Sequence, residues 1–250
     1  MYQRIVFLAA ALLAAALSSS EAGAQAFSVA PTRIVLTPDE PAQPLLIANR
    51  STAPLQFRFT WVYYSMDGDG RLIETEAPAD SAISMLRYGP RAVSALPGGT
   101  TTVRIDTRPG RAINGERRAH LRVTAMPAVP ADDSEEIIAR FGVQLGYDVP
   151  VFVRGPDIDQ GAEIEAIEIV EIDGSPAISL TLRRTGADSV WGDLDIRDRS
   201  GEIGRLIGPA VYETTPTRRL TIPLDRTPEG RVRVRYRQDD RTLAEAELTP

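Results

Sequence analysis

The sequence predicts an all-β protein built as two β-sandwich domains, and three observations carry that prediction. Apolar and polar residues alternate with period two along many short segments, helical spacing is scarce, and clusters of Gly, Pro, Asn and Asp separate the segments at sandwich intervals. Residues 1–24 stand apart as an export signal. Arg4 supplies the positive start, residues 5–17 are uncharged and apolar, and Ala22-Gly23-Ala24 offers a small-x-small cleavage site before Gln25. The apolar run is too short for a comfortable membrane span, which argues against the alternative of a retained anchor, and no cysteine follows it to take a lipid. The mature chain is therefore expected to be exported and soluble, in the periplasm.

Residues 34–36, 45–48, 56–64, 101–105, 119–125 and 141–153 are strand-length and rich in β-branched or aromatic residues. Turn clusters divide them: Thr37-Pro38-Asp39, Asn49-Arg50-Ser51, Asp67-Gly68-Asp69-Gly70, Leu96-Pro97-Gly98-Gly99 and Asn114-Gly115. After Gly155-Pro156-Asp157 a second set begins, at 164–172, 177–182, 192–196, 219–224, 231–237 and 243–248. The boundary gives domains at 25–155 and 156–250, each of ordinary sandwich size, joined by almost no linker.

The segment 141–153 is the most informative. Phe141, Val143, Leu145, Tyr147, Val149, Val151 and Val153 line one face in strict alternation, and Gly142, Gln144, Gly146, Asp148, Pro150, Phe152 and Arg154 stand opposite. At about 3.3 Å per residue the strand would run roughly 40 Å, longer than one sandwich needs. Two readings fit: a core strand that continues into the linker, or a strand whose surplus is offered to another chain by β-augmentation.

Composition removes most chemistry. All 28 basic residues are arginine, so Schiff-base chemistry and a phosphate-loop lysine are excluded. Without cysteine there are no thiol nucleophiles, disulfides or thiolate metal sites, and His120 is the one histidine. No metal, no cofactor and no enzymatic activity are expected. Asp67-Gly68-Asp69-Gly70 with Glu74 fails calcium-loop spacing and reads as a hairpin turn. His120 shares a strand face with Arg118 and Arg122, with no carboxylate at useful spacing for catalysis. Arg231, Arg233, Arg235 and Arg237 read as a solvated face rather than a nucleic-acid stripe, because the net charge is −6.

The residues, taken in order, resemble the periplasmic chaperones of the chaperone/usher pathway. The resemblance rests on Phe27 through Arg33, on Leu45 through Ser51, and on Tyr88-Gly89-Pro90-Arg91 through Pro97-Gly98-Gly99 to Val103-Arg104-Ile105. It continues with Glu116-Arg117-Arg118 leading to Met126-Pro127, and with Val149 through Arg154. It implies two immunoglobulin-like sandwiches in a boomerang arrangement. It also implies binding of pilus, fimbrial or related secreted coat subunits by donor strand complementation, and delivery to an outer-membrane usher. The positions corresponding to donor residues are Phe141, Val143 and Leu145, and Arg33 corresponds to the anchor for the subunit's terminal carboxylate; a surface arginine on an edge strand is the alternative for Arg33. The family's second cleft residue is a lysine, and here Pro150 stands in its place. Glu116, Arg154 and an acid of the second domain, assigned to Asp239, would form the ion-pair network that sets the domain angle. The acidic segment 128–136 is similar in length to the short-loop subgroup. An exposed strand edge also admits a self-capping homodimer. Readings outside this family are a cell-surface structural or adhesive protein and an exported glycan-active enzyme using two carboxylates.

Overall fold

The computed structural model describes residues 26–108, 113–127 and 145–249. The expected leader at 1–24, the acidic segment 128–136 and the donor positions Phe141 and Val143 lie outside them. The first set of strands is β1 (Phe27–Ala30), β2 (Ile34–Leu36), β3 (Ala42–Asn49), β4 (Leu55–Met66), β5 (Leu72–Thr75), β6 (Leu86–Gly89), β7 (Ala92–Ala95), β8 (Thr100–Thr107), β9 (Glu116–Pro127) and β10 (Leu145–Arg154). The second is β11 (Ala162–Ile172), β12 (Ser175–Arg184), β13 (Val190–Trp191), β14 (Asp193–Asp198), β15 (Gly201–Leu206), β16 (Ala210–Val211), β17 (Thr217–Pro223), β18 (Val232–Gln238) and β19 (Arg241–Leu248). A single 3-10 turn at Ala82–Met85 is the helical element among the described residues.

In the first half, a sheet ordered β1-β3-β8-β6 faces one ordered β2-β10-β9-β4-β5, with β7 also on β4. The period-two pattern explains the core between them. Leu45 and Ile47, Phe57 and Phe59, Val103 and Ile105, Leu121 and Val123, and Val149, Val151 and Val153 all turn inward and are buried together. In the second half β11-β12-β17 faces β15-β14-β18-β19, around Ile178, Leu180, Leu182, Leu194, Ile196, Val232, Val234 and Tyr236. These two cores share no residue, and the chain passes from one to the other between Arg154 and Ala162.

Several turns are built as their residues dictate. Asn49 is buried, and its amide donates to the carbonyls of Ala53 and Ala95 while its Oδ1 accepts from Ser51. Asp67 Oδ1 accepts the N–H groups of Asp69 and Arg71, closing the β4–β5 hairpin in which Met66 pairs with Leu72. The tip of that hairpin reaches the second domain: Arg219 donates its backbone N–H to Gly68 O and its guanidinium to Asp69. Gly70 has φ +81°, which favours glycine, and a Cβ there would also push the Arg218 guanidinium aside.

Strand β15 escapes the sequence reading. Its alternation is interrupted by Gly204, which packs closely against Pro223 and Leu224, so that a Cβ there would crowd both. The arginine row that starts at Arg231 and continues along β18 is exposed at Arg231, Arg233 and Arg237 and half-buried at Arg235, and glutamates on β19 answer it: Arg231 and Arg233 pair with Glu247, and Arg235 pairs with Glu245.

Candidate functional site

Strand β10 is paired along its whole described length with β9, from Leu145 opposite Ala125 to Arg154 opposite Glu116. Its other edge is covered only near the end, where Val151, Phe152 and Val153 lie against Ile34, Val35 and Leu36 of β2 in parallel. Among the described residues the edge of β10 from Leu145 to Pro150 has no strand on it, a length of about 20 Å. Of the expected donor residues, Leu145 alone enters the described residues, as the first residue of β10.

The two faces of β10 meet different neighbours. Val149, Val151 and Val153 close the first core. Phe152 instead joins Met66, Ala210 and Tyr212 in a small buried cluster, with Val35 and Trp191 against it, so it packs on the second domain. The face of β9 that carries Glu116, Arg118 and His120 is buried as well.

Two ion pairs lie in this joint. Arg154 donates from Nε to Glu116 at 2.8 Å, and the other oxygen of Glu116 accepts the backbone N–H of Ser189. Burial pushes the Glu116 carboxyl up, against the pull of Arg154. Arg118 makes a two-toothed pair with Glu213, at 3.0 and 2.9 Å, and donates to Tyr64 O. Glu213 also accepts from Tyr63 and Ser189. Burial raises its carboxyl, but the Arg118 bonds outweigh that and hold it below its ordinary range. By resemblance, the second domain's acid in this network is expected at Asp239. That residue is exposed, in the turn between β18 and β19 with φ 50°, and makes no ion pair among the described residues. Ser189 and Glu213 are the second-domain groups that meet the first domain's Glu116 and Arg118.

Arg33 comes into the same joint from the start of β2. Its guanidinium carbon lies 4.5 Å from the ring centre of Phe152, 4.9 Å from Trp191 and 6.0 Å from Tyr212. Its Nη1 is buried without a hydrogen-bond partner, and burial lowers its pKa. His120 packs edge-on against Tyr64 and lies 6.1 Å from Tyr212. Burial first, then Arg118, push its imidazole down to about 3, so it is neutral. The carboxylates that sequence spacing did not find for this face come from distant segments: Glu213 for Arg118, and Asp148 and Glu74 for Arg122. The signal that could have found the joint is apolar residues on both faces, in Trp61-Val62-Tyr63-Tyr64 and Val151-Phe152-Val153.

Among the described residues no group of three or more His, Asp or Glu side chains could hold a metal ion, and no helix is long and apolar enough to cross a membrane. No protein-family model and no curated protein sequence matches the chain. Solved structures do. The chaperone in a CsuC–CsuE chaperone and tip adhesion subunit pre-assembly complex, from the archaic chaperone-usher Csu pili of Acinetobacter baumannii, is 14% identical with a TM-score of 0.51, over 88% of this chain and 97% of that one. The YadV chaperone is 10% identical with a TM-score of 0.48, over 90% and 100%. The CupB2 chaperone of Pseudomonas aeruginosa is 14% identical with a TM-score of 0.47, over 88% and 97%. The chain has the two-sandwich fold of the first of these.

Proposed function

We propose that this chain is a periplasmic chaperone for pilus or fimbrial subunits, which completes a subunit's unfinished sandwich with β10 and hands it to an outer-membrane usher. The observation that carries the reading is the open edge of β10 and where it ends. Since β2 runs parallel to β10 and begins pairing at Ile34 opposite Val151, a guest strand laid parallel along Leu145–Pro150 would bring its C-terminus to Arg33. A terminal carboxylate there would meet a guanidinium with an unpartnered N–H. Main-chain bonds along the edge give affinity tolerant of sequence, and Phe141, Val143 and Leu145 would fill alternate pockets of the guest. At about 100 Å² of apolar surface each, the three contribute on the order of 7 kcal/mol before ordering costs. The fold shared with a chaperone solved with its tip adhesion subunit supports the same reading.

Co-expression with the subunit encoded beside it should yield a one-to-one complex. Leu145→Asp should abolish that complex while the free protein stays folded, and undiminished capture by the variant would overturn the donor-strand role. A homodimer in place of the complex would mean that a second copy takes the edge.

A further inference from the structure

Five buried side-chain nitrogens lack a hydrogen-bond partner among the described residues, on Arg33, His120, Arg184, Trp191 and Arg218. Three of these share the joint: Arg33 lies over the Trp191 ring, and Arg33 and His120 both lie beside Tyr212. The orphaned atom of His120 can be assigned. Arg118 Nη1 lies 3.4 Å from His120 Nδ1, and a guanidinium only donates, so Nδ1 is the acceptor. A neutral ring then carries its proton on Nε2, the atom without a partner. Arg33 Nη1 and Trp191 Nε1 are donors by their chemistry. What the joint lacks is therefore an acceptor. Charge points the same way, since Arg118 and Arg154 have carboxylates and Arg33 has none within bridging distance among the described residues.

We infer that His120, through its Nε2–H, is a second donor beside Arg33 for a carboxylate entering the joint. It would supply what Pro150, its cross-strand partner, cannot. The identity of that carboxylate as a polypeptide terminus rests on the function proposed above. The two burdens are separable, because the donor set can be probed without a subunit.

The full chain labelled with 15N-histidine gives the signals of a single ring. The free protein should show the Nε2-protonated neutral tautomer. Acetate should shift the Nε2–H signal, and acetamide, its uncharged isostere, should not. Arg33→Ala should remove the acetate response, and His120→Leu, in a chain labelled instead with 15N-arginine and with the Arg33 signal assigned through Arg33→Ala, should weaken acetate binding about tenfold, read from the Arg33 side-chain signals. An Nδ1-protonated ring, or acetate shifting Arg33 while leaving Nε2–H unmoved, would overturn the inference even if His120→Leu failed to fold. A normal acetate response in a chain that captures no subunit would support the site and sink the chaperone reading instead.

Discussion

Acidification should destabilise the folded chain through His120, and the size of the effect follows from its surroundings. The ring is 1% exposed, with Arg118 against Nδ1 and Arg33 nearby, while the Asp148 and Glu213 carboxylates pull the other way without prevailing. Folded, it titrates at about 3; unfolded, at about 6.5. Between those values the unfolded chain holds a proton that the folded chain does not, so stability rises with pH and is lost as pH falls below about 6.5. At about pH 4.5, two units into that window, the loss is about 3 kcal/mol. Urea unfolding of the parent and of His120→Gln, each at pH 7 and at about pH 4.5, isolates this contribution, since the carboxylates titrate in both proteins. The variant should gain about 3 kcal/mol on the parent between the two conditions. A difference that stays constant with pH would refute the burial and charge account of this ring.

The other predictions concern the joint and the guest. Glu213→Gln leaves the buried Arg118 guanidinium without its carboxylate and should cost about 3 kcal/mol in urea unfolding; a loss near zero would mean that water satisfies Arg118. Arg33→Ala should weaken capture of a subunit with an intact terminal carboxylate more than capture of one truncated there, measured by titration calorimetry, and equal losses would remove its anchoring role. Gly155→Ala would drive a Cβ into the Ile113 carbonyl at the point where the chain leaves β10, and should cost about 1–3 kcal/mol; an unchanged unfolding midpoint would show that this crossing yields freely.

The inward face of the first domain was legible because period two and burial coincide there. Val149, Val151 and Val153 face a core whose other walls, Leu121 and Val123 among them, announce themselves by the same alternation. The opposite face was not legible. Glu116, Arg118, His120 and Arg122 alternate like any solvated row, and no local pattern says that a second domain covers three of them. Their partners Ser189 and Glu213 lie more than 70 positions away along the chain, on segments that form no long strand. Asp239 lies three residues after Tyr236 of β18, but the turn that follows the strand carries it into solvent. Sequence spacing finds groups on one strand face; it does not find groups that domain docking brings together.

The absence of lysine bears on the same joint. An ammonium is a compact, strongly hydrated charge, and burying one beside rings without a carboxylate would favour loss of its proton. A guanidinium is planar and weakly hydrated, and can lie on aromatic faces while keeping its charge. Arg33 does this between Phe152 of the first domain and Trp191 of the second, so both domains define its position. A carboxylate drawn to Arg33 would then be held by a group whose orientation depends on the docking of the two sandwiches, and loosening the joint at Glu213 should weaken carboxylate capture although the Glu213 carboxylate bonds Arg118, Tyr63 and Ser189 rather than Arg33. Equal capture by the parent and by Glu213→Gln, at a temperature where both are folded, would mean that the rings hold Arg33 without help from the ion pairs.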